Sequence, residues 1–265
     1  MMNMIRADIY RITRGRAIYV TLFLLLVLNV LVIGPGLVSG VNFGNTWDDM
    51  GIIAPMLGLD GMGSAALLYT RMDNIVFFLL PLVYAVAMPI FDNCTVKNDI
   101  GWGMSRNKMY MSKLILSAGL CVFMLVFYMG TGMLMATVLR GFGGPAPAGY
   151  WVNLFQTLGA QLFAMLAVTC LAVFLIFTTK SGGAVTGIFI AFFFVPTMVI
   201  MLLAEIFNPD MLRLLDFMLM FSINRLGFFD QLGTRDIVTA LGVAALHIIV
   251  CTVGGLALFK RAEIK

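Results

Sequence analysis

The residues able to carry chemistry are few and scattered. The four cysteines stand singly at Cys94, Cys121, Cys170 and Cys251, with no CxxC pair and no disulfide framework, so redox and metal chemistry lack a ligand set. The phosphate-cradling GxxxxGKS/T pattern is absent, as are the zinc motif HExxH and the nucleophile motif GxSxG. The chain therefore binds no ATP by a P-loop of its own. Its one histidine, His247, lies mid-way along an apolar run. An ionisable residue there is a candidate for a proton or ion path. No Asp, Glu, Lys or Arg stands in the apolar core of any run to partner it, so a neutral role in an interhelical hydrogen bond is the reading preferred over an ion path.

A different concentration of reactive side chains lies in FDNCTVKNDIGWGMSRNKMYMSK, from Phe91 to Lys113. It is polar and net basic, with Lys97, Arg106, Lys108 and Lys113 against Asp92 and Asp99, and it separates two apolar runs. TVKNDI can form one short helix, Gly101 and Gly103 supply a turn around Trp102, and Ser105 is placed to cap a helix beginning RNKMYMSKL. Ile100, Trp102 and Met104 are apolar side chains among charges, which is what a partner interface requires. Trp102 equally fits an anchor in the headgroup layer.

The elements that position these residues follow from composition. With 61% hydrophobic and only 11% charged residues, the chain cannot cover its apolar surface as a soluble domain. We read a single all-α polytopic membrane domain over 1–265 with six transmembrane helices at 17–34, 74–91, 114–139, 151–179, 185–204 and 237–259. The net charge of +4 comes from basic residues at span ends, so no nucleic-acid role follows. Residues 1–16 carry no cleavable signal. They place Ile5, Ile9 and Ile12 at helical spacing with Arg6, Arg11 and Arg14 elsewhere, which predicts an amphipathic helix on the inner leaflet, or else a plain basic flank. The stretch 50–70 holds Asp60 and several helix breakers and is expected as short helical or re-entrant pieces in an outer loop. Residues 205–236 read as a pair of short re-entrant or interfacial outer helices, with Asn208 and Pro209 as a start signal and Arg213 and Asp216 three apart. This topology puts both termini and the 92–113 loop inside, with twelve of the 17 Lys and Arg residues on that side.

No internal repeat relates the first three spans to the last three, and no ion site is evident, so a transporter of this kind must draw energy from elsewhere. The N-terminal helix, the six spans, the turn Gly103–Met104–Ser105–Arg106 leading to Lys113, and the paired outer helices together resemble the permease subunit of an ABC-type-2 exporter. The resemblance covers nearly the whole chain and is architectural. It implies that the 92–113 loop contains a coupling helix that docks on a separate cytoplasmic ATP-binding subunit, with Asp92, Lys97, Asp99, Ile100, Trp102, Ser105 and Arg106 as the coupling residues. It also implies that the N-terminal helix braces that loop and that the outer helices gate the exit. Two ATP-binding subunits and a second permease chain, identical or not, would complete the complex. ATP and magnesium would then be bound by the partner, with no cofactor and no enzymatic site in this chain. Many relatives carry a glutamate near the start of the loop where this chain has only Asp92 or Asp99. By the same resemblance the setting is a bacterial plasma membrane, and the cargo an amphipathic peptide, toxin or antibiotic, self-immunity to bacteriocins included. The rival readings are a small carrier or channel using His247 and a non-transporting scaffold or sensor.

Overall fold

The computed structural model of the protein describes residues 2–33, 61–92, 100–101, 103–144, 146, 148–228 and 232–261. Their regular elements are all helices, with no strand among the described residues. They comprise α1 (Met2–Arg14), α2 (Arg16–Ile33), α3 (Gly61–Thr70), α4 (Asp73–Ala87), α5 (Pro89–Asp92), α6 (Arg106–Arg140), α7 (Tyr150–Thr179), α8 (Gly182–Ile206), a 3-10 helix (Pro209–Phe217), α9 (Leu219–Leu226) and α10 (Thr234–Arg261). Six stretches are long and apolar enough to cross a membrane: α2, α4 with α5, α6, α7, α8 and α10. The shortest, α2, has 18 residues and is about 27 Å long, close to the thickness of a hydrocarbon core. At 35 residues, α6 is about 52 Å long and must project beyond a core of roughly 30 Å.

Burial sorts the six. In its most apolar window α7 is 67% buried, whereas α2, α8 and α10 are each 22% buried, so α7 is the axis and the other three form the rim. Small residues on α7, among them Ala160, Ala164, Ala167 and Ala172, let neighbouring backbones approach closely, and α10 packs on it most extensively. A second close approach joins α6 to α10. The Tyr110 ring lies across Gly255, where a Cβ would meet the ring Cζ at 2.6 Å, and its hydroxyl donates to Cys251 O at 3.0 Å. Phe177 packs edge-on against Tyr110, Phe91 and Phe259, with centroids 4.8–5.3 Å away.

Pro89 breaks the second span. It has no N–H to give the carbonyl of Ala85, and the Arg11 guanidinium of α1 donates there at 3.4 Å and to Val86 O at 3.1 Å. The face that α1 turns inward therefore differs from the one expected. Met4 and Ile5 pack against the core and Asp8 and Ile12 are buried, but Ile9 is 46% exposed and Arg11 points into the protein. The reason is electrostatic: the helix is rotated to bring Asp8 onto the buried Lys113, and that rotation carries Ile9 outward.

At the opposite end α3 lies on α6, with Gly61 N donating to Gly141 O at 2.9 Å; the rest of the 50–70 stretch lies outside the described residues. Asn208 Oδ1 caps the next element by accepting from Asp210 N at 2.9 Å, as its position suggests, but the turn that follows is 3-10. Arg213 pairs with Asp210 at 3.4 Å, not with Asp216, because Arg225 of α9 takes Asp216 at 2.9 Å. Leu219, Met220, Ser222, Ile223 and Leu226 of α9 are buried against α7 and α10, so this short helix is set into the bundle.

The Tyr110–Gly255 contact leaves no room for a side chain. Gly255→Val should lower stability by about 1–3 kcal/mol, and Tyr110→Ala in the same chain should recover part of that loss. Thermal unfolding of the detergent-solubilised single and double variants measures it; strictly additive effects would refute the contact.

Candidate functional site at the loop end of the bundle

The start of α6 meets both ends of the described chain. Gly103 holds φ +83°, a left-handed conformation that an L side chain rarely adopts, and its N–H closes a turn on Ile100 O at 2.9 Å. Extended backbone at Ser105 (φ −72°, ψ 141°) then lets its hydroxyl accept from Lys108 N at 3.4 Å, so Ser105 is the N-cap of α6. One residue on, Arg106 donates through Nη1 to Lys260 O at 2.8 Å and Phe259 O at 3.3 Å. A guanidinium thus meets the last described carbonyls of α10, at the negative end of that helix dipole.

Two turns further along α6, Lys113 is fully buried, and its ammonium meets Asp8 Oδ2 of α1 at 2.6 Å. The other carboxylate oxygen takes Arg11 at 3.1 Å. Asp8, 5% exposed, thus joins two cations, and Arg11 carries the linkage on to the Pro89 break. A buried ammonium in an apolar bundle is tolerable only with a carboxylate so close. The clamp ties α1, the end of the second span and the first turns of α6 into one unit.

The residues singled out in the sequence distribute as follows. Asp92 is exposed at the end of α5, and Ser105 is the exposed cap. Ile100 and Met104 are half-buried and pack against the hydrophobic core, so their apolar surface is largely used within the chain. Arg106 is half-buried and engaged with α10. Lys97, Asp99 and Trp102 lie outside the described residues. The exposed side chains around the cap are Asn107 and Lys108. His247 is half-buried on α10, with Nδ1 2.8 Å from Val243 O in its own helix and its ring edge-on to Phe192 of α8 at 5.9 Å. The hydrogen bond expected between helices is therefore within one, because the carbonyl one turn back is the nearest acceptor in an apolar setting. No ion pair involves His247, and no group of three His, Cys, Asp or Glu side chains could hold a metal, among the described residues.

Sequence reading missed Asp8 and Arg11. Asp8 is the sole acid in the first sixteen residues, and Met4, Ile5 and Ile12 fall on its own side of a helix. An acid centred on an apolar face asks for a buried cation, and that signal was available.

Beside the clamp, a groove of about 630 Å³ opens between α2, α4–α5 and α8. Phe77, Leu80, Pro81, Met88 and Ile190 line it, with Tyr84, Thr186 and Asp92 as its polar groups. Tyr84 bridges α4 to α8 by donating to Gly182 O, with Thr186 Oγ1 3.0 Å from the same hydroxyl. Comparison with protein-family models, with curated proteins and with solved structures found no match to this chain.

Breaking one partner of the buried pair should be costly. Lys113→Met, which leaves Asp8 buried with a weaker set of cations, should destabilise by about 3–5 kcal/mol, as should Asp8→Leu. The double variant Asp8→Leu/Lys113→Met should lie well above either single one. Thermal melts in detergent, with limited proteolysis of α1, provide the cycle.

Proposed function

We propose that this chain is the membrane permease of an ATP-driven exporter whose ATPase is a separate cytoplasmic subunit. The observation that carries the reading is the double anchorage of the start of α6, to α10 through Arg106 and to α1 through Lys113. A force applied to the turn before Ser105 is passed into a helix of 35 residues and, through its two ties, into the first and last helices together. A loop that only linked two spans has no need of such bracing. In this reading both ends of the described chain and the 92–113 loop face the cytoplasm of a bacterial cell, where basic segments are retained. The residues proposed to contact the partner are Lys97, Asp99, Trp102, Asn107 and Lys108; of these Asn107 and Lys108 are described, exposed at a helix start that Ser105 caps and Arg106 ties to α10.

The cargo is an amphipathic molecule such as a peptide or antibiotic. The groove between α2, α4–α5 and α8 supports this, since it is apolar along most of its wall and has Tyr84, Thr186 and Asp92 as polar groups. A second permease chain would close the open side of that groove. The His247 carrier is the weaker reading: its ring nitrogen is engaged with its own helix and faces Phe192, not a carboxylate.

Purification from the native membrane in mild detergent, with mass spectrometry of stoichiometric companions and an ATPase assay, tests the proposal. A P-loop ATPase of equal abundance is expected. Trp102→Ala with Lys108→Glu should reduce cargo-stimulated ATPase activity at least several-fold while leaving the thermal melt of the permease in place, with Arg106 and Lys113 unchanged. His247→Ala should leave transport unchanged. A lone protein without ATPase activity, or transport abolished by His247→Ala, would overturn the assignment.

A further inference from the structure

The side of α1 turned away from the bundle is a second unassigned surface. Asp8 is consumed by Lys113 and Arg11, so no acid remains exposed on α1, while Arg6 and Arg14 project outward and Arg16 follows at the start of α2. None of these three makes an ion pair among the described residues. Tyr10, 58% exposed, lies between Arg6 and Arg14 at i, i+4, i+8 spacing, and the Arg14 guanidinium stacks 4.5 Å over its ring.

This basic, aromatic face runs directly into the apolar outside of α2. Tyr19, 61% exposed, donates its hydroxyl back to Thr13 O at 2.7 Å, and one turn further on Phe23 is 64% exposed. A strip that begins with arginines, passes through two tyrosines with polar tips and continues as exposed Phe23 has the polarity profile of a phospholipid from phosphate to chain. We propose that the outer face of α1 and the α1–α2 corner bind anionic phospholipid headgroups. Arg6, Arg14 and Arg16 supply the charge, Tyr10 and Tyr19 sit at the glycerol level, and the acyl chain lies along Phe23. The Asp8 clamp gives the site its orientation, because it fixes which face of α1 is left outside. The site does not depend on the chain's being an exporter permease.

The probe is phosphatidylglycerol against phosphatidylcholine. Protein purified with its natural companions is reconstituted in phosphatidylcholine vesicles with and without phosphatidylglycerol, and lipid retained after mild delipidation is counted by native mass spectrometry. Wild-type protein should retain phosphatidylglycerol preferentially and melt at a higher temperature in its presence, with the gain falling as salt is raised. Arg6→Gln/Arg14→Gln/Arg16→Gln should weaken that preference about 100-fold, from roughly a factor of five for each basic residue at an anionic surface. It should keep the wild-type melt in phosphatidylcholine alone. The charge-conserving Arg→Lys triple variant should retain most of the preference, which guards against a Gln variant that inserts poorly. Equal retention of the two lipids by wild-type protein would overturn the proposal. So would a Gln variant that keeps its lipid preference but loses a companion protein, which would make the face a protein interface. Inorganic phosphate that reproduces the rise in melting temperature would do the same, reducing the site to general anion binding.

Discussion

A buried ammonium constrains everything around it. Lys113 has no exposed surface, and stripping water from a charged amine costs several kcal/mol unless a carboxylate and further hydrogen bonds replace that water. Asp8, 105 residues earlier, is the group that does so. From that one requirement follow the rotation of α1, the inward turn of Arg11, the exposure of Ile9 and the capping of the carbonyls freed at Pro89. Hydrophobic matching alone would have chosen another face of α1. The electrostatic term wins because an uncompensated buried charge outweighs the few tenths of exposure gained or lost by one isoleucine.

The two ends of the bundle are built by different means. At the end holding the clamp, charged groups meet backbone carbonyls: Arg106 on Phe259 and Lys260, Arg11 on Ala85 and Val86. The far end relies on inserted short helices, with α3 docked on α6 and α9 set between α7 and α10. There Gly227 lies close under the α3–α4 turn, where a Cβ would meet Tyr69 O at 2.8 Å, and Gln161 donates to that same oxygen at 2.6 Å. At the clamp end charged side chains grip helix carbonyls, whereas at the far end the short helices are tied by backbone bonds such as Gly61 N to Gly141 O and by Arg225 on Asp216 and Asp236.

Much of this architecture is legible in one dimension. Uninterrupted apolar runs predicted six helices long and apolar enough to cross a membrane, since length and the absence of charge are local properties. Ser105 as a cap and Asn208 as a start were readable for the same reason, each resting on a bond to a residue two or three positions away. Contacts between distant segments were not. The orientation of α1 depends on Lys113, the engagement of Arg106 on residues more than 150 positions later, and the packing of Ile100 and Met104 on a core assembled from several spans. For His247 the sequence offered two roles, and the proximity of Val243 O and Phe192 favours the quieter one.

The ties at the start of α6 also impose an order of assembly. Asp8, the partner of Lys113, precedes it by 105 positions, so the ammonium can be neutralised as soon as α6 emerges. Arg106 must wait for Phe259 and Lys260, which lie more than 150 positions later in the chain. Until α10 is in place, the start of α6 has only the tie at Lys113. A chain without α10 therefore lacks one of the two ties beside the turn at Gly103 to Ser105, and a chain with it has both. Any protein that recognises the doubly tied form is also reading whether α10 is in place.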